Sequence, residues 1–275
     1  MELLSQTIMI FRQLPKPAAL LFCCGTLLLP RAAAGDITAV SSRVSDGYAR
    51  TKLADGSFQP ETYAFGEGGH LSGSTADETI DKLKFIEVAR TITGPLAGQQ
   101  YLPAKDPKQT KLLIMVYWGT TTGSAEDPTL PNTNDVEMKL MFRSQRDHAD
   151  VRNARLLGYD AEDIIGTDYG RGLLLTALHR KTEDLLDEIE DNRYFVVLMA
   201  YDFQLLWKEK KHKLLWETRF SIRENRNDFG KVLPDMAQFA SRYFGRDTHG
   251  LVRKPLKENV NLGELKILGV EPNGK

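Results

Sequence analysis

The sequence predicts an α+β domain: a mixed or antiparallel sheet centred on a long hairpin over residues 194–223, helices packed on one face, and a helical insertion over about 120–190. Three observations predict it. Residues 194–223 are two apolar, aromatic-rich arms around a lysine-rich tip. Residues 111–118, KLLIMVYW, form a continuous apolar run of strand length, the pattern of a strand buried on both faces. Stretches 77–93 and 228–244 repeat apolar residues at helical spacing.

The hairpin fixes the expected core. With Lys208 to Lys213 as the tip, Trp207 falls opposite Leu214 and Tyr201 opposite Phe220. One face then gathers Met199, Tyr201, Phe203, Leu205 and Trp207 with Leu214, Trp216, Thr218, Phe220 and Ile222. The other pairs Leu206 with Leu215, Gln204 with Glu217, and Asp202 with Arg219. Each large side chain buried contributes about 1.5–3 kcal/mol, so the apolar face dominates and a one-residue slip is disfavoured. The tip reads as a solvated turn that discourages edge pairing, with an anion contact as the functional alternative.

Before the hairpin, residues 36–50 read as an extended lead-in. Asp55-Gly56 marks a hairpin turn between 48–53 and 58–65. GEGGHLSGST, 66–75, reads as a Gly/Ser loop, and Thr75 with Glu78 as a capping box for a helix that Gly94-Pro95 ends. That helix offers Ile80, Leu83, Ile86, Ala89 and Ile92 as its buried stripe. Within 120–190, stretches 135–157 and 171–190 look helical. After the hairpin, helix 228–244 turns Val232, Met236, Phe239, Ala240 and Tyr243 inward and stops at Gly245. A basic loop, 246–257, leads to a final strand at 262–270.

The N-terminus has the outline of an export signal. Arg12 and Lys16 precede the apolar run Ala18 to Leu29, Pro30 breaks it, and Ala32 to Ala34 supply small residues for cleavage. The run is short for a membrane span, and nothing later approaches the ~20 apolar residues one requires. Cleavage after Ala34 leaves 241 of 275 residues and no transmembrane span; an uncleaved anchor is the rival reading. Both cysteines, Cys23 and Cys24, lie in this segment. Phe22 before Cys23 argues against lipid attachment, and the mature chain has no thiol for a disulfide, thiolate catalysis or a cysteine zinc site. Loss of Arg12, Lys16, Arg31 and Glu2 shifts the formal charge from −1 to −3, which argues against a nucleic-acid binder.

Four landmarks stand in order: SFQPETYAFGEGG (57–69), LLIMVYWGTT (112–121), LLWETRFSIR (214–223) and RYFG (242–245). They resemble a family of exported, often lipid-anchored bacterial domains of unknown function. The resemblance covers about half the mature chain; the chain departs from it by the insertion and by lacking a lipid-attachment cysteine. It implies an α+β fold and an envelope location, and it carries over no catalytic residue.

The candidate ligand site is the Gly-rich stretch, through Gly68, Gly69 and His70, together with Trp118 and Thr120 at the end of the apolar strand. The bland readings are a flexible connection and a core tryptophan. Ser72 is one place too late for a nucleophile elbow. His179 and Glu183 share a helix face but lack further metal ligands, and the acidic run 183–191 reads as a solvated face. His148 reads as a half-buried structural histidine. Asp160, Glu162, Asp163 and Asp168 lack the spacing of a calcium loop. No cofactor, metal or catalytic residue is assigned. The expectation is a non-enzymatic envelope module that binds another envelope protein or a small ligand; the alternative is a periplasmic hydrolase using His70 or His179 with nearby carboxylates.

Overall fold

The computed structural model describes residues 37–73, 76–123, 148–159, 185 and 188–255, all within one unit, Ala34–Lys275. In chain order the strands are β1 (Ile37–Val44), β2 (Glu61–Leu71), β3 (Tyr101–Pro103), β4 (Leu112–Thr120), β5 (Arg193–Asp202), β6 (Leu214–Arg223) and β7 (Val252–Pro255). The helices that position them are α1 (Glu78–Asp81), α2 (Phe85–Gly98), α3 (Phe203–Glu209) and α4 (Phe229–Ala240). Among the described residues the strands form a single seven-stranded sheet in the order β3-β2-β4-β5-β6-β1-β7. β2 is parallel to both β3 and β4, whereas β4-β5, β5-β6, β6-β1 and β1-β7 are antiparallel. The sheet is therefore mixed and the fold is α+β.

Strand alternation sorts the apolar residues into two cores. On one face Leu112, Ile114, Val116 and Trp118 of β4 lie beside Tyr194, Val196, Leu198 and Ala200 of β5 and Trp216, Phe220 and Ile222 of β6. α2 lays Val88, Ile92 and Leu96 on this face, and α4 adds Phe229, Leu233, Met236 and Ala237. On the other face Phe195 and Val197 meet Ala154, Leu157 and Tyr159. Ala154 and Leu157 belong to the helical stretch 148–157 within the expected insertion, so the sheet is covered on both faces there. Asn153, fully buried in that stretch, donates to the carbonyls of Thr122 (2.7 Å) and Ile189 (3.0 Å). Gly158 ends it at φ +85, pressed on Ser41 so closely that a Cβ would lie 2.6 Å from that side chain.

The hairpin register differs from the expectation. Tyr194 pairs with Ile222 and Val196 with Phe220, and Tyr201 meets Leu214 after a bulge. The offset is odd, so parity inverts: Phe220 lies in the helix-covered core, while Tyr201 stands on the other face with Met199. The first arm also stops at Asp202. Its carboxylate accepts from Leu205 N–H at 3.0 Å and starts α3, so Phe203, Leu205 and Trp207 are helical. Instead of facing Asp202, Arg219 pairs with Glu217 at 3.0 Å.

Other boundaries shift for local reasons. Residues 37–44 form a full strand, because their buried Thr38, Ser41 and Ser42 are small enough for the sheet interior and the two serines find partners: Ser41 Oγ donates to the Gly158 carbonyl at 3.0 Å, and Ser42 Oγ lies 2.7 Å from Thr218 Oγ1. Asp55-Gly56 makes a tight turn, but only the Lys52–Phe58 bridge forms around it. Asp77 caps α1, the expected cap Thr75 lies outside the described residues, and the expected single helix divides at Lys82–Lys84 into α1 and α2. α2 continues through Pro95 to Gly98, and Ile86 is exposed while Leu96 is buried. In α4 Leu233 and Ala237 are also buried, and the expected Val232, with Tyr243 just beyond the helix, is half-buried and packs against the same core. β7 occupies part of the expected basic loop, pairing with β1. The strand expected at 262–270, and the helices expected at 135–157 and 171–190 apart from residues 148–157, 185 and 188–190, lie outside the described residues. No helix among the described residues is long and apolar enough to cross a membrane.

Candidate functional site

The expected loop 66–75 is largely strand: Gly66 to Leu71 continue β2. Its glycines answer to β4 beside them. A Cβ on Gly68 would lie 2.6 Å from the Tyr117 ring, and one on Gly66 would lie 2.3 Å from Met115 Sδ. Gly68 is the extra residue of a bulge between Glu67 and Gly69, and Gly69 follows at φ +134. The bulge restores pairing for the last residues, setting His70 beside Trp118 and Leu71 beside Gly119. Gly68 and Gly69 thus shape the strand end that presents His70.

Three expected residues come together at the carboxyl ends of β2 and β4, where ligands bind in parallel sheets. The His70 ring lies 5.6 Å from the Trp118 indole at 31°, and Phe85 of α2 stacks on the same indole at 6.4 Å. Thr120 follows Trp118 on the same side of β4 and is buried, with Gly73 packed close against it. Asp81 of α1 places Oδ1 3.6 Å from His70 Nε2, within ion-pair reach and beyond a hydrogen bond.

Three polar atoms of this group lack hydrogen-bond partners. His70 Nε2, Trp118 Nε1 and Thr120 Oγ1 are each buried without a hydrogen bond. A buried donor or acceptor left unpaired costs about 1–3 kcal/mol. The indole N–H can only donate, the hydroxyl can do either, and the imidazole Nε2 does either according to its tautomer. Their complement is a small polar molecule with at least one acceptor oxygen.

Beside them lies a satisfied network that the sequence did not suggest. Tyr194, paired across β4 from Thr120, donates its hydroxyl to the Asp77 carboxylate, and Thr79 Oγ1 stands 3.2 Å away. Burial works to raise the Asp77 pKa, but hydrogen bonds from Tyr194 and from the Thr79 N–H outweigh it and hold the carboxyl below its ordinary value. Burial, reinforced by the Asp77 hydrogen bond, pushes the Tyr194 hydroxyl up. Thr79 Oγ1 also accepts from Phe229 N–H at 3.3 Å, which ties α1 to the start of α4. The one available signal was Asp77 itself, a capping residue ahead of a helix.

A second cluster sits where β2 begins. Arg50, its side chain 2% exposed, lies over Phe58 (4.2 Å) and Tyr101 (4.1 Å) and donates to the Gln99 carbonyl at 2.6 Å. Tyr48 donates to Glu61 at 2.6 Å beside it. This arrangement clamps segment 48–58 to the edge of the sheet.

Ser72 and His148 are exposed, the latter contrary to the half-buried expectation. His179, Glu183, Asp160, Glu162, Asp163 and Asp168 lie outside the described residues. Among the described residues no three His, Cys, Asp or Glu side chains converge as a metal site would require.

No family model matches the chain, and no curated protein matches it. Among solved structures it is similar to a PDZ domain protein from Parabacteroides distasonis, at 12% identity and a TM-score of 0.36. The alignment covers 80% of this chain and 39% of that one, so the chain spans well under half the length of that protein.

Proposed function

We propose that the chain is an exported, non-enzymatic module of the cell envelope that binds a small polar ligand at His70, Trp118 and Thr120. One observation carries the binding reading: the unpaired, buried Nε2, Nε1 and Oγ1 of these neighbouring residues at a parallel strand end. Phe85 and Trp118 offer aromatic surface to the apolar part of such a ligand, and Asp81 disfavours a second carboxylate beside His70. Export rests on the basic, apolar and small-residue segments before Asp36.

Native mass spectrometry of the protein purified from its own cells tests the site. Wild type retains a small molecule, and Trp118→Phe and His70→Ala lose it while remaining folded. A wild-type protein that carries nothing, or variants that carry the same load, would refute the site. The mass of the exported chain tests cleavage after Ala34, and an intact Met1 would exclude it.

The hydrolase reading retains one supporting observation, the His70–Asp81 pairing. Against it, His70 Nε2 has no hydrogen-bond partner, so no hydroxyl nucleophile is engaged there. Cleavage of p-nitrophenyl acetate that disappears in His70→Ala would favour hydrolysis over simple binding.

A further inference from the structure

The opposite end of the sheet carries a surface that the ligand site does not use. β4 runs from Leu112, paired with Asp202, to Thr120, paired with Tyr194, so the start of α3 and the His70 cluster stand about 20–26 Å apart. α3 leaves β5 directly and is held from below. Gln204 Nε2 donates to the carbonyls of Pro107 and Thr110, both at 2.8 Å, and Phe203 N–H donates to the Lys111 carbonyl at 2.9 Å. None of its seven residues is buried, although four of them are Phe203, Leu205, Leu206 and Trp207. Phe203 and Trp207 lie one turn apart with ring centroids separated by 6.1 Å, and Trp207 is 42% exposed. Lys208, Lys210, Lys211 and Lys213 follow Trp207 within six residues and are all exposed. Segments 105–111 and 202–213 together hold seven lysines and three carboxylates, in a chain whose 36 basic residues are otherwise outnumbered by acidic ones. All three carboxylates are engaged locally, Asp202 as the cap of α3, Asp106 as acceptor from Lys108 N–H at 2.9 Å, and Glu209 with Lys211 at 2.9 Å.

We infer that α3 docks on the surface of an anionic phospholipid bilayer, with Trp207 and Phe203 at the boundary between headgroups and acyl chains and the lysines on the lipid phosphates. The basic rim selects an anionic occupant. The size of the apolar patch selects lipid over protein. A seven-residue helix is about 10 Å long, and a stable protein partner requires about 800 Å² per side. Lysine stems can lie along the apolar ring while their ammonium groups reach the headgroups. Each lysine near an anionic surface raises affinity roughly five-fold, so several acting together with one tryptophan suffice for reversible docking. This inference stands apart from the His70 reading, and either can fail alone.

Tryptophan emission of the full chain, measured with brominated-lipid vesicles, tests it. Trp118 and Trp216 are 2% and 0% exposed, and residues 1–36 contain no tryptophan, so quenching reports on Trp207 even if the apolar N-terminus also touches lipid. Vesicles of phosphatidylcholine with roughly 30% phosphatidylglycerol should quench the emission, and pure phosphatidylcholine should not. Raising salt from about 0.05 to 0.5 M should weaken binding at least ten-fold. Trp207→Ala and the triple variant K208E/K210E/K211E should each bind about ten-fold more weakly, with far-UV circular dichroism unchanged. Absence of quenching, equal binding to neutral vesicles, or folded variants that bind like wild type would overturn the inference. So would retention on poly-glutamate without binding to anionic vesicles, which would assign the surface to an acidic polypeptide.

Discussion

Removing one hydroxyl should reveal how the candidate site is held together. Tyr194→Phe keeps the ring, 5.4 Å from Phe229, and removes the donor to Asp77 together with the longer hydroxyl contacts to Thr79 Oγ1 (3.2 Å) and the Asn227 carbonyl (3.3 Å). A hydrogen bond to a charged acceptor contributes about 1.5–3 kcal/mol. Asp77 is only half-buried and keeps its bond from the Thr79 N–H at 2.8 Å, so the low end applies, about 1.5 kcal/mol near pH 7. For a domain of this size that lowers Tm by about 3–6 °C. The pH dependence follows from the depressed Asp77 pKa. A carboxyl whose pKa is lower folded than unfolded stabilises the fold above its unfolded value, about 3.9, and loses that contribution as pH falls through the folded value. Wild type and Tyr194→Phe should therefore differ fully above about pH 5 and converge toward pH 3, leaving a neutral hydrogen bond of roughly 0.5–1 kcal/mol. Urea unfolding from pH 7 to pH 3 measures this. A double-mutant cycle with Asp77→Asn, which retains a cap, should give a coupling of about 1 kcal/mol. A gap of the same size at pH 3 and pH 7, or a coupling below about 0.3 kcal/mol, would refute the charged hydrogen bond.

The remaining predictions concern the frame around the site. Phe220→Ala should cost about 3–5 kcal/mol in urea unfolding, since the ring is 1% exposed, whereas Trp207→Ala should cost under about 1 kcal/mol; equal losses would restore the expected register. Gly119→Ala places a Cβ 2.0 Å from the Leu71 carbonyl, a backbone atom that cannot swing aside, so a loss of about 2–3 kcal/mol and a changed Trp118 environment in near-ultraviolet circular dichroism should follow. Asn153→Ala strands the carbonyls of Thr122 and Ile189 and should cost about 2 kcal/mol, with faster amide exchange in 148–157 than in β4 or β5. Uniform exchange across those elements would show that the helical stretch does not depend on that contact.

What the sequence disclosed and what it hid follow from the range of the interactions involved. Strands β4 and β6 and helices α2 and α4 were legible because composition and period are local, and each element's apolar face is written in its own residues. The register of β5 and β6 was not. FQLLW is as apolar as the strand before it, and its helical fate is decided by Asp202 capping Leu205 and by Gln204 bonding the 107–110 turn, a partner some ninety residues away. Once those five residues leave the strand, the pairing moves by an odd number and every face inverts. β1 was hidden for a related reason: Ser41 and Ser42 look like a solvated lead-in until Gly158, Thr218 and Thr248 supply their hydrogen bonds from far along the chain. The site divides along the same line. His70, Trp118 and Thr120 could be named because strand ends announce themselves, while Asp77, Asp81 and Tyr194 join them only through α1 and through the β4–β5 pairing. The glycines show the limit from the other side. Gly68 and Gly69 drew notice as a flexible loop, yet their work is to let β4 approach and to bulge the strand, which is how the chain turns His70 toward Trp118.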